Sequence, residues 1–355
     1  MKKKILKTVY TVLFFLVFAL PGILSLVQKK ESIGNEHKAE LSDMNYLNFT
    51  EKFDAYFSES FGLRNVFVEW NNRLRYGLFK ESGEKSVIAG KDGWLFYESA
   101  LHDFNGEGIL SDGEIAEIAD MLKDTQDYVE SSGAEFVFVI APNKMEIYGE
   151  YMPYYCVENT EDGNYERLMA ALDERGVRHT DLKAVLKDAK ECSDNLLYHK
   201  LDSHWNNLGA YTAYSAIMEQ TGFEAADYSG IGYTVRNIFD GDLYGMLFPG
   251  GNKKDEQIVF DTEDKFYYTS NFRGSDDLLI STANDSGSGS VLMFRDSFGN
   301  ALYPFAANDF EKAQFSRALP YNLTDAKAYD LVIIEIVERN IGNLLEYPPV
   351  FEAAE

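Results

Sequence analysis

The stretch VLMFRDSFGN, residues 291–300, predicts a strand, a turn and a helix, with a serine at the bend. Residues 291–294 form a short, wholly apolar run, typical of a strand buried in a parallel sheet. Gly299 marks a turn, and the residues after it predict a helix. Ser297 thus lies at a bend where its hydroxyl is exposed and nearby backbone N–H groups can stabilise an oxyanion. Helix capping by Asp296 or Ser297 explains the same residues without catalysis.

A second stretch, LDSHW at residues 201–205, brings an acid and an imidazole together. In extended backbone, residues two apart project to the same side, so Asp202 and His204 can share one face. An Asp beside a His fixes the imidazole tautomer and stabilises the imidazolium formed when His takes a proton from Ser. Asp202, His204 and Ser297 are therefore the predicted orienting acid, base and nucleophile. Metal ligation is the alternative, but five His and two distant Cys offer no full ligand set, so we expect no metal and no cofactor.

Apolar strands alternate with amphipathic helices through much of the chain. Such alternation predicts an α/β fold with a doubly wound, mainly parallel sheet. Ser111 followed by Glu114 is a capping-box signature for a helix that ends before Gly133. The other predicted elements are a hairpin over 86–97, strands at 136–141, 177–180, 196–198 and 331–337, and helices at 164–175 and 207–220.

In doubly wound sheets the functional residues gather beyond the carboxyl ends of the strands. Asn143 and Lys144 follow the strand that ends at residue 141, LDSHW follows the strand expected at 196–198, and Arg339 follows the last strand. For Lys144 and Arg339, a surface salt bridge is an equal alternative. The candidates for substrate or oxyanion contacts are Asn143, Lys144, Arg295 and Arg339.

The first thirty residues predict a membrane anchor. They hold six Lys and no acid, and they run apolar from Thr8 to Val27. About twenty apolar residues at 1.5 Å each span the roughly 30 Å hydrocarbon core. The basic flank places the N-terminus inside, so we expect a single-pass protein of the cell membrane with an extracytoplasmic domain. A cleaved signal peptide is the alternative, although no small-x-small site follows cleanly.

Beyond residue 30 the charge changes sign. The formal net charge of the whole chain is −25, and the remainder carries 27 basic against 58 acidic residues. This balance argues against nucleic acid and anionic lipid surfaces as partners.

The expected organisation is an anchor over 1–30, a polar stalk over 31–45 and one catalytic domain over 46–350. Residues 49–79 predict two amphipathic helices, broken at Gly62. Residues 225–289 predict an irregular β-rich insertion, which either walls the site or forms a small core of its own. Cys156 and Cys192 are as compatible with free thiols as with a disulfide.

Four sequence blocks together carry a resemblance to a known family. They are GKDGWLFY at 90–97, APNK at 141–144, DSHW at 202–205 and DSFG at 296–299. They resemble, in order, the blocks of the DHHW family, which is allied to the alginate O-acetylation proteins J and X. The resemblance implies a permuted SGNH-hydrolase-like fold over most of the chain, with Asp202, His204 and Ser297 as the catalytic residues.

The resemblance also implies an activity and a set of partners. The expected protein is an O-acetyltransferase that forms an acetyl-serine and passes the acetyl group to hydroxyls of an exopolysaccharide or cell-wall polysaccharide. A polytopic membrane-bound O-acyltransferase is the expected acetyl source. A carbohydrate acetylesterase of the same fold is the first rival, and a non-catalytic glycan-binding or assembly protein is the second.

Two positions depart from the pattern of the family. Arg295 occupies the place where Gly usually precedes the Asp-Ser pair, so either the backbone there has an ordinary negative φ or the site is altered. Ser203 occupies the place where His or Thr is more usual between the Asp and the His. We expect its side chain to point away from its neighbours.

Overall fold

The computed structural model describes residues 7–12, 14–16, 19, 50, 64–159 and 161–351. The chain divides into two units, one of residues 1–84 with 244–252 and one of residues 85–243 with 253–355. Most of the predicted anchor, all of the predicted stalk and, apart from Thr50, the first of the two predicted helices of 49–79 lie outside the described residues. Within the described ranges, no helix combines the length and the apolar character needed to cross a membrane.

The first unit contains helix α1, Arg64–Phe79, which confirms the second of the two predicted amphipathic helices. Asn72 is buried and donates from Nδ2 to the backbone oxygen of Leu247 at 2.7 Å. Tyr76 packs edge-to-face on Phe248, with ring centroids 5.6 Å apart. These contacts hold α1 to the returning segment of residues 244–252.

The second unit is built on a mixed sheet. Among the described residues, its seven strands are β3 Glu135–Ala141, β4 His179–Thr180, β7 Tyr267–Tyr268, β8 Leu279–Ala283, β9 Ser290–Phe294, β10 Lys312–Ser316 and β11 Leu331–Val337. They follow the order β4-β3-β11-β9-β10-β8-β7. The pairs from β4 to β10 are parallel, whereas β8 and β7 join antiparallel. Two further antiparallel pairs are β1 Val87–Ala89 with β2 Leu95–Tyr97, and β5 Tyr233–Phe239 with β6 Asp255–Phe260.

Helices cover both faces of this sheet, because alternate residues of the buried strands point to opposite sides. The helices after α1 are α2 Leu101–Asn105, α3 Asp112–Ser131, α4 Lys144–Tyr148, α5 Asn164–Arg175, α6 Leu182–Cys192, α7 Asn207–Met218, α8 Asp242–Leu247, α9 Gly299–Asp309 and α10 Asn343–Glu346. In β3, Val137 and Val139 enter one core together with α6, α7 and α9, whereas Phe136 and Phe138 enter the other with α3 and α5. Short 3-10 turns span Lys91–Gly93, Glu98–Ala100, Gly149–Tyr151, Ala326–Ala328 and Glu338–Asn340.

Most of the predicted elements are confirmed. The capping box of Ser111 and Glu114 starts α3, and the hairpin, α5 and β11 lie where the pattern places them. Helix α6 and strands β8 and β10 were not predicted.

The predicted strand at residues 196–198 is wrong. Its backbone joins no ladder beyond an isolated bridge between Tyr198 and Trp205. The backbone of Leu197 bonds to other groups instead. Its N–H donates to the hydroxyl of Tyr148, and its C=O accepts from the backbone N–H of Asn206. LDSHW is therefore carried by a bridged loop between α6 and α7, not by a strand end.

The segment 225–289 is β-rich but also contains helix α8. Strands β7 and β8 extend the main sheet, while β5 and β6 pair only with each other. Tyr228 and Phe260 pack edge-to-face on Phe305 of α9, so aromatic residues of this segment join the main core. Cys156 and Cys192 are free thiols.

Candidate active site

The structure brings Asp202, His204 and Ser297 together at the carboxyl edge of the sheet. His204 Nδ1 lies 2.7 Å from Asp202 Oδ1, and His204 Nε2 lies 2.8 Å from Ser297 Oγ. Since Asp202 can only accept, Nδ1 carries the proton and Nε2 accepts from the serine hydroxyl. The predicted convergence of these residues is confirmed, and we refer to them below as the relay.

The loop and the nucleophile turn are fastened to each other. Trp205 donates from its indole N–H to the backbone oxygen of Phe298 at 3.0 Å. The ring centroids of His204 and Phe298 lie 4.8 Å apart. Because Trp205 and Phe298 are buried, the imidazole rests against a packed aromatic surface beside Ser297.

The surroundings tune both ionisable members of the relay. Burial alone would raise the pKa of Asp202, but the hydrogen bond and charge of His204 outweigh it and hold that pKa well below its ordinary value. Burial alone would lower the pKa of His204, but the hydrogen bond to Asp202 and the charges of Asp202 and Asp242 raise it, against a smaller opposing effect of Arg339. His204 is thus a strengthened base facing a serine hydroxyl.

The turn that carries Ser297 is fixed by the carboxylate of Asp296. Its Oδ1 accepts from Phe298 N–H at 2.8 Å, and its Oδ2 accepts from Val337 N–H at 2.7 Å. The N–H of Asp296 donates to Glu335 Oε2 at 3.0 Å. Burial and the nearby charge of Asp296 raise the pKa of Glu335, a fully buried acid in an otherwise apolar strand. A lone Glu in such a strand was the available sequence signal for this support.

Arg295 lies beneath the turn and has an ordinary backbone conformation. Within the described ranges, the non-glycine residues with positive φ are Lys80 and Asp92. The guanidinium of Arg295 donates to the side chain of Asn300 and to the backbone oxygen of Ser275. Because the side chain is 1% exposed, its contacts are with the protein interior, and burial lowers its pKa to about 10.

Lys144 is also buried, beneath the loop that carries Asp202. Its ammonium donates to the backbone oxygens of His199, Lys200 and Asp202 at 3.0, 3.3 and 2.6 Å. Burial lowers its pKa to about 8. These bonds hold the loop in place, and they engage the three donors of the ammonium.

Asn143 and Arg339 form a neighbouring pair. Arg339 donates to Asn143 Oδ1 at 3.1 Å, and its guanidinium lies 5.5 Å from the ring centroid of Phe298. Asn143 N–H donates to the buried Glu338 at 2.9 Å. Arg339 is half-buried and flanks the same ring as His204, so of the four additional candidates it has the position best suited to a substrate contact.

The expectation for Ser203 is wrong. Its hydroxyl donates to Asp242 Oδ2 at 2.6 Å and lies 3.2 Å from His204 Nδ1. Asp242, from the segment after β5, was missed as a member of the site. The contacts of Asp242 with the loop join segments that are distant in the chain, and the sequence carries no local signal for them.

Asp202, His204 and Asp242 have ligand atoms within 4.8 Å of one another, a spacing that a metal ion can also use. Both ring nitrogens of His204 are already engaged with protein atoms, and both oxygens of Asp202 accept hydrogen bonds. Asp242 likewise accepts from Ser203. The set is satisfied by hydrogen bonds and is suited to moving a proton between Ser297 and His204.

Comparison with known proteins gives a family match over part of the chain. Residues 87–242 match the family described as "SGNH hydrolase-like domain, acetyltransferase AlgX". The probable alginate O-acetylase AlgJ of Pseudomonas aeruginosa is 26% identical over 160 residues, which cover 45% of this chain and 39% of that protein. The corresponding protein of Pseudomonas putida is 24% identical over 199 residues, which cover 56% and 47%. The matches span half or less of these relatives.

Two solved structures share the fold. A DHHW family protein from Eubacterium siraeum has a TM-score of 0.53 and 16% identity, covering 75% of this chain and 99% of that one. PatB1 of Bacillus cereus with a sulfonyl adduct has a TM-score of 0.54 and 17% identity, covering 72% and 95%. Together with the family match, these similarities confirm the resemblance drawn from the sequence blocks and an SGNH-hydrolase-like α/β fold with a mixed sheet.

Proposed function

We propose that this chain is an O-acetyltransferase that carries the acetyl group on Ser297 and delivers it to a hydroxyl of an extracytoplasmic polysaccharide. The observation that carries the proposal is the relay, with distances of 2.7 and 2.8 Å. The acetyltransferase family matched by residues 87–242 and the relatives named as O-acetylases support the choice of acyl group and reaction.

The first half-reaction acetylates the serine. His204 Nε2 takes the proton of Ser297 Oγ as that oxygen attacks the acetyl carbonyl, and Asp202 stabilises the imidazolium through Nδ1–H. The backbone N–H of Ser297 donates to no acceptor in the described part of the chain, and we propose it as a donor to the oxyanion. Collapse of the intermediate transfers the proton from Nε2 to the leaving group and leaves acetyl-Ser297.

The second half-reaction transfers the acetyl group. An acceptor hydroxyl gives its proton to His204 Nε2 and attacks the acetyl carbonyl, so an ester forms on the acceptor and Ser297 Oγ takes the proton back. Arg339, half-buried beside Phe298, is the proposed contact for the acceptor or the oxyanion. Water in place of the acceptor hydroxyl gives an acetylesterase.

The cellular setting is part of the proposal. The basic and apolar residues 1–30 support a single-pass anchor, with the catalytic unit outside the cytoplasm. A polytopic membrane-bound O-acyltransferase is the proposed acetyl source, and an exopolysaccharide or cell-wall polysaccharide is the proposed acceptor.

The test is to incubate the purified full-length chain with an aryl acetate, with and without an oligosaccharide acceptor. An acetylated sugar is the expected product, and it should be lost in Ser297→Ala and His204→Ala. Ser229→Ala and His102→Ala, at exposed positions, are the matched controls and should stay active. Acetate release with no acetylated sugar favours the esterase. Unchanged turnover in the Ser297 variant rejects the assignment.

A further inference from the structure

We propose that Asp242 is a positioning residue for this acyl transfer: its carboxylate and backbone N–H hold the loop of residues 201–204, and its charge faces the imidazole of His204. The inference rests on the proposed function of the relay. It adds a second carboxylate, 40 residues away in the chain from Asp202.

Asp242 contacts two residues of the loop, Ser203 and Asp202. Its Oδ1 accepts from Ser203 N–H at 2.8 Å, and its Oδ2 accepts from the hydroxyl of Ser203 at 2.6 Å. The backbone N–H of Asp242 donates to Asp202 Oδ2 at 2.8 Å. Asp202 Oδ1 accepts hydrogen bonds from the backbone N–H and from Nδ1–H of His204. Asp202 is therefore held from both sides, and its orientation depends on the segment that contains Asp242.

The residue before Asp242 shows how closely this segment approaches the loop. A Cβ atom on Gly241 would lie 2.3 Å from the backbone oxygen of Leu201 and 2.6 Å from its carbonyl carbon. No side chain fits at such distances from backbone atoms, so Gly is required for this approach. The backbone of the segment 241–242 thus packs directly against the backbone of the loop.

The charge of Asp242 acts on the base itself. Asp242 Oδ2 lies 3.8 Å from His204 Nδ1, beyond a hydrogen bond but within direct electrostatic reach. The charged groups acting on His204 are Asp202 and Asp242, which raise its pKa, and Arg339, which lowers it. A second negative charge favours the imidazolium that forms as Ser297 loses its proton.

The experiment measures the pH dependence of kcat/KM for aryl acetate with the full-length chain. In Asp242→Asn the acid limb of the profile should move down by about one pH unit, because less negative charge lowers the pKa of His204. The rate on the plateau should fall by about tenfold, because the imidazolium is less stabilised. Asp240→Asn removes an exposed carboxylate two residues away and should leave both values unchanged. An unmoved acid limb in Asp242→Asn overturns the electrostatic part.

A second variant tests the positioning part and does not depend on Asp242→Asn folding. Ser203→Ala removes the hydroxyl held by Asp242 but keeps both carboxylates, so the plateau rate should fall severalfold with the acid limb in place. An unchanged rate overturns the positioning part. Ser297→Ala separates the two proposals. If Ser297→Ala is inactive while the Asp242 and Ser203 variants behave as wild type, only the role of Asp242 is rejected. If Ser297→Ala stays active, the proposed function is rejected as well.

Discussion

Lys183 is the centre of a buried charge cluster beside the site, and its replacement by Met tests whether that cluster holds the sheet edge together. Its ammonium lies 3.1, 2.8 and 2.9 Å from carboxylate oxygens of Glu146, Glu166 and Glu338. The side chains of Lys183 and Glu338 are 8% and 3% exposed. Asn143 N–H donates to the same Glu338, which connects the cluster to Arg339.

The expected loss follows from the burial of Glu338. Removing one partner of a buried ion pair costs about 3–5 kcal/mol. Burial raises the pKa of Glu338 to about 8 even with Lys183 present, so below pH 8 this acid keeps its proton in both proteins, and we expect the lower end, about 3 kcal/mol. At roughly 2–4 °C per kcal/mol, Tm should fall by roughly 6–12 °C.

The protonation of Glu338 also sets the pH dependence of this loss of stability. Without Lys183 the pKa of Glu338 rises further, so the folded variant keeps a proton that the wild-type protein releases above about pH 8. Stability falls with pH wherever the folded state binds more protons than the unfolded state. The gap between variant and wild type should therefore widen above pH 8 and stay constant below it.

The assay is urea unfolding followed by far-UV circular dichroism at pH 6, 7 and 9. Lys254→Met is the matched control, since Lys254 and Asp240 form an exposed pair at 42% and 79% exposure, and it should cost less than about 1 kcal/mol. A Lys183→Met variant within 1 kcal/mol of this control, or a gap that does not widen above pH 8, would refute the reasoning.

Three further predictions concern the site. The acid limb of the pH profile of kcat/KM for aryl acetate should have its midpoint above the ordinary His pKa of about 6.5, because the pKa of His204 is raised and only neutral His204 accepts the serine proton. A midpoint below pH 6 contradicts this. Arg339→Met should move that limb upward, since Arg339 lowers the pKa of His204, and a downward shift in the same pH titration counts against the assignment. Gly299→Ala should lower the free energy of unfolding in urea by about 1–3 kcal/mol, because the new Cβ would lie 2.5 Å from Cβ of the buried Arg295. The control Gly230→Ala places its Cβ where no atom lies within 4 Å and should be neutral. Equal stability of the two variants contradicts the packing.

The elements that the sequence predicts well are those whose signals are local. Residues 331–337 form one uninterrupted buried strand, and α5 ends at Arg175 where Gly176 takes a left-handed conformation. The convergence of Asp202, His204 and Ser297 followed from the order of the sequence blocks. The rule that sites lie at carboxyl edges of parallel strands holds for Ser297, which follows β9, but not for Asp202 and His204, which lie on a loop.

The features that the sequence analysis missed depend on contacts between distant segments. Leu197 lies in an apolar run typical of a strand, yet its N–H donates to the hydroxyl of Tyr148 and its C=O accepts from Asn206 N–H in a loop. The direction of Ser203 is set by Asp242, 39 residues further along the chain. Whether Lys144 faces solvent or three backbone carbonyls depends on the folding of that same loop, which no local pattern encodes.

The most direct measurement is mass spectrometry of the full-length chain, quenched during turnover of an aryl acetate and digested to isolate the peptide that contains Ser297. We expect an acetyl group on Ser297 that disappears when an oligosaccharide acceptor is added and never forms in His204→Ala. Turnover without acetylation of that peptide, or equal acetylation in His204→Ala, would contradict this expectation.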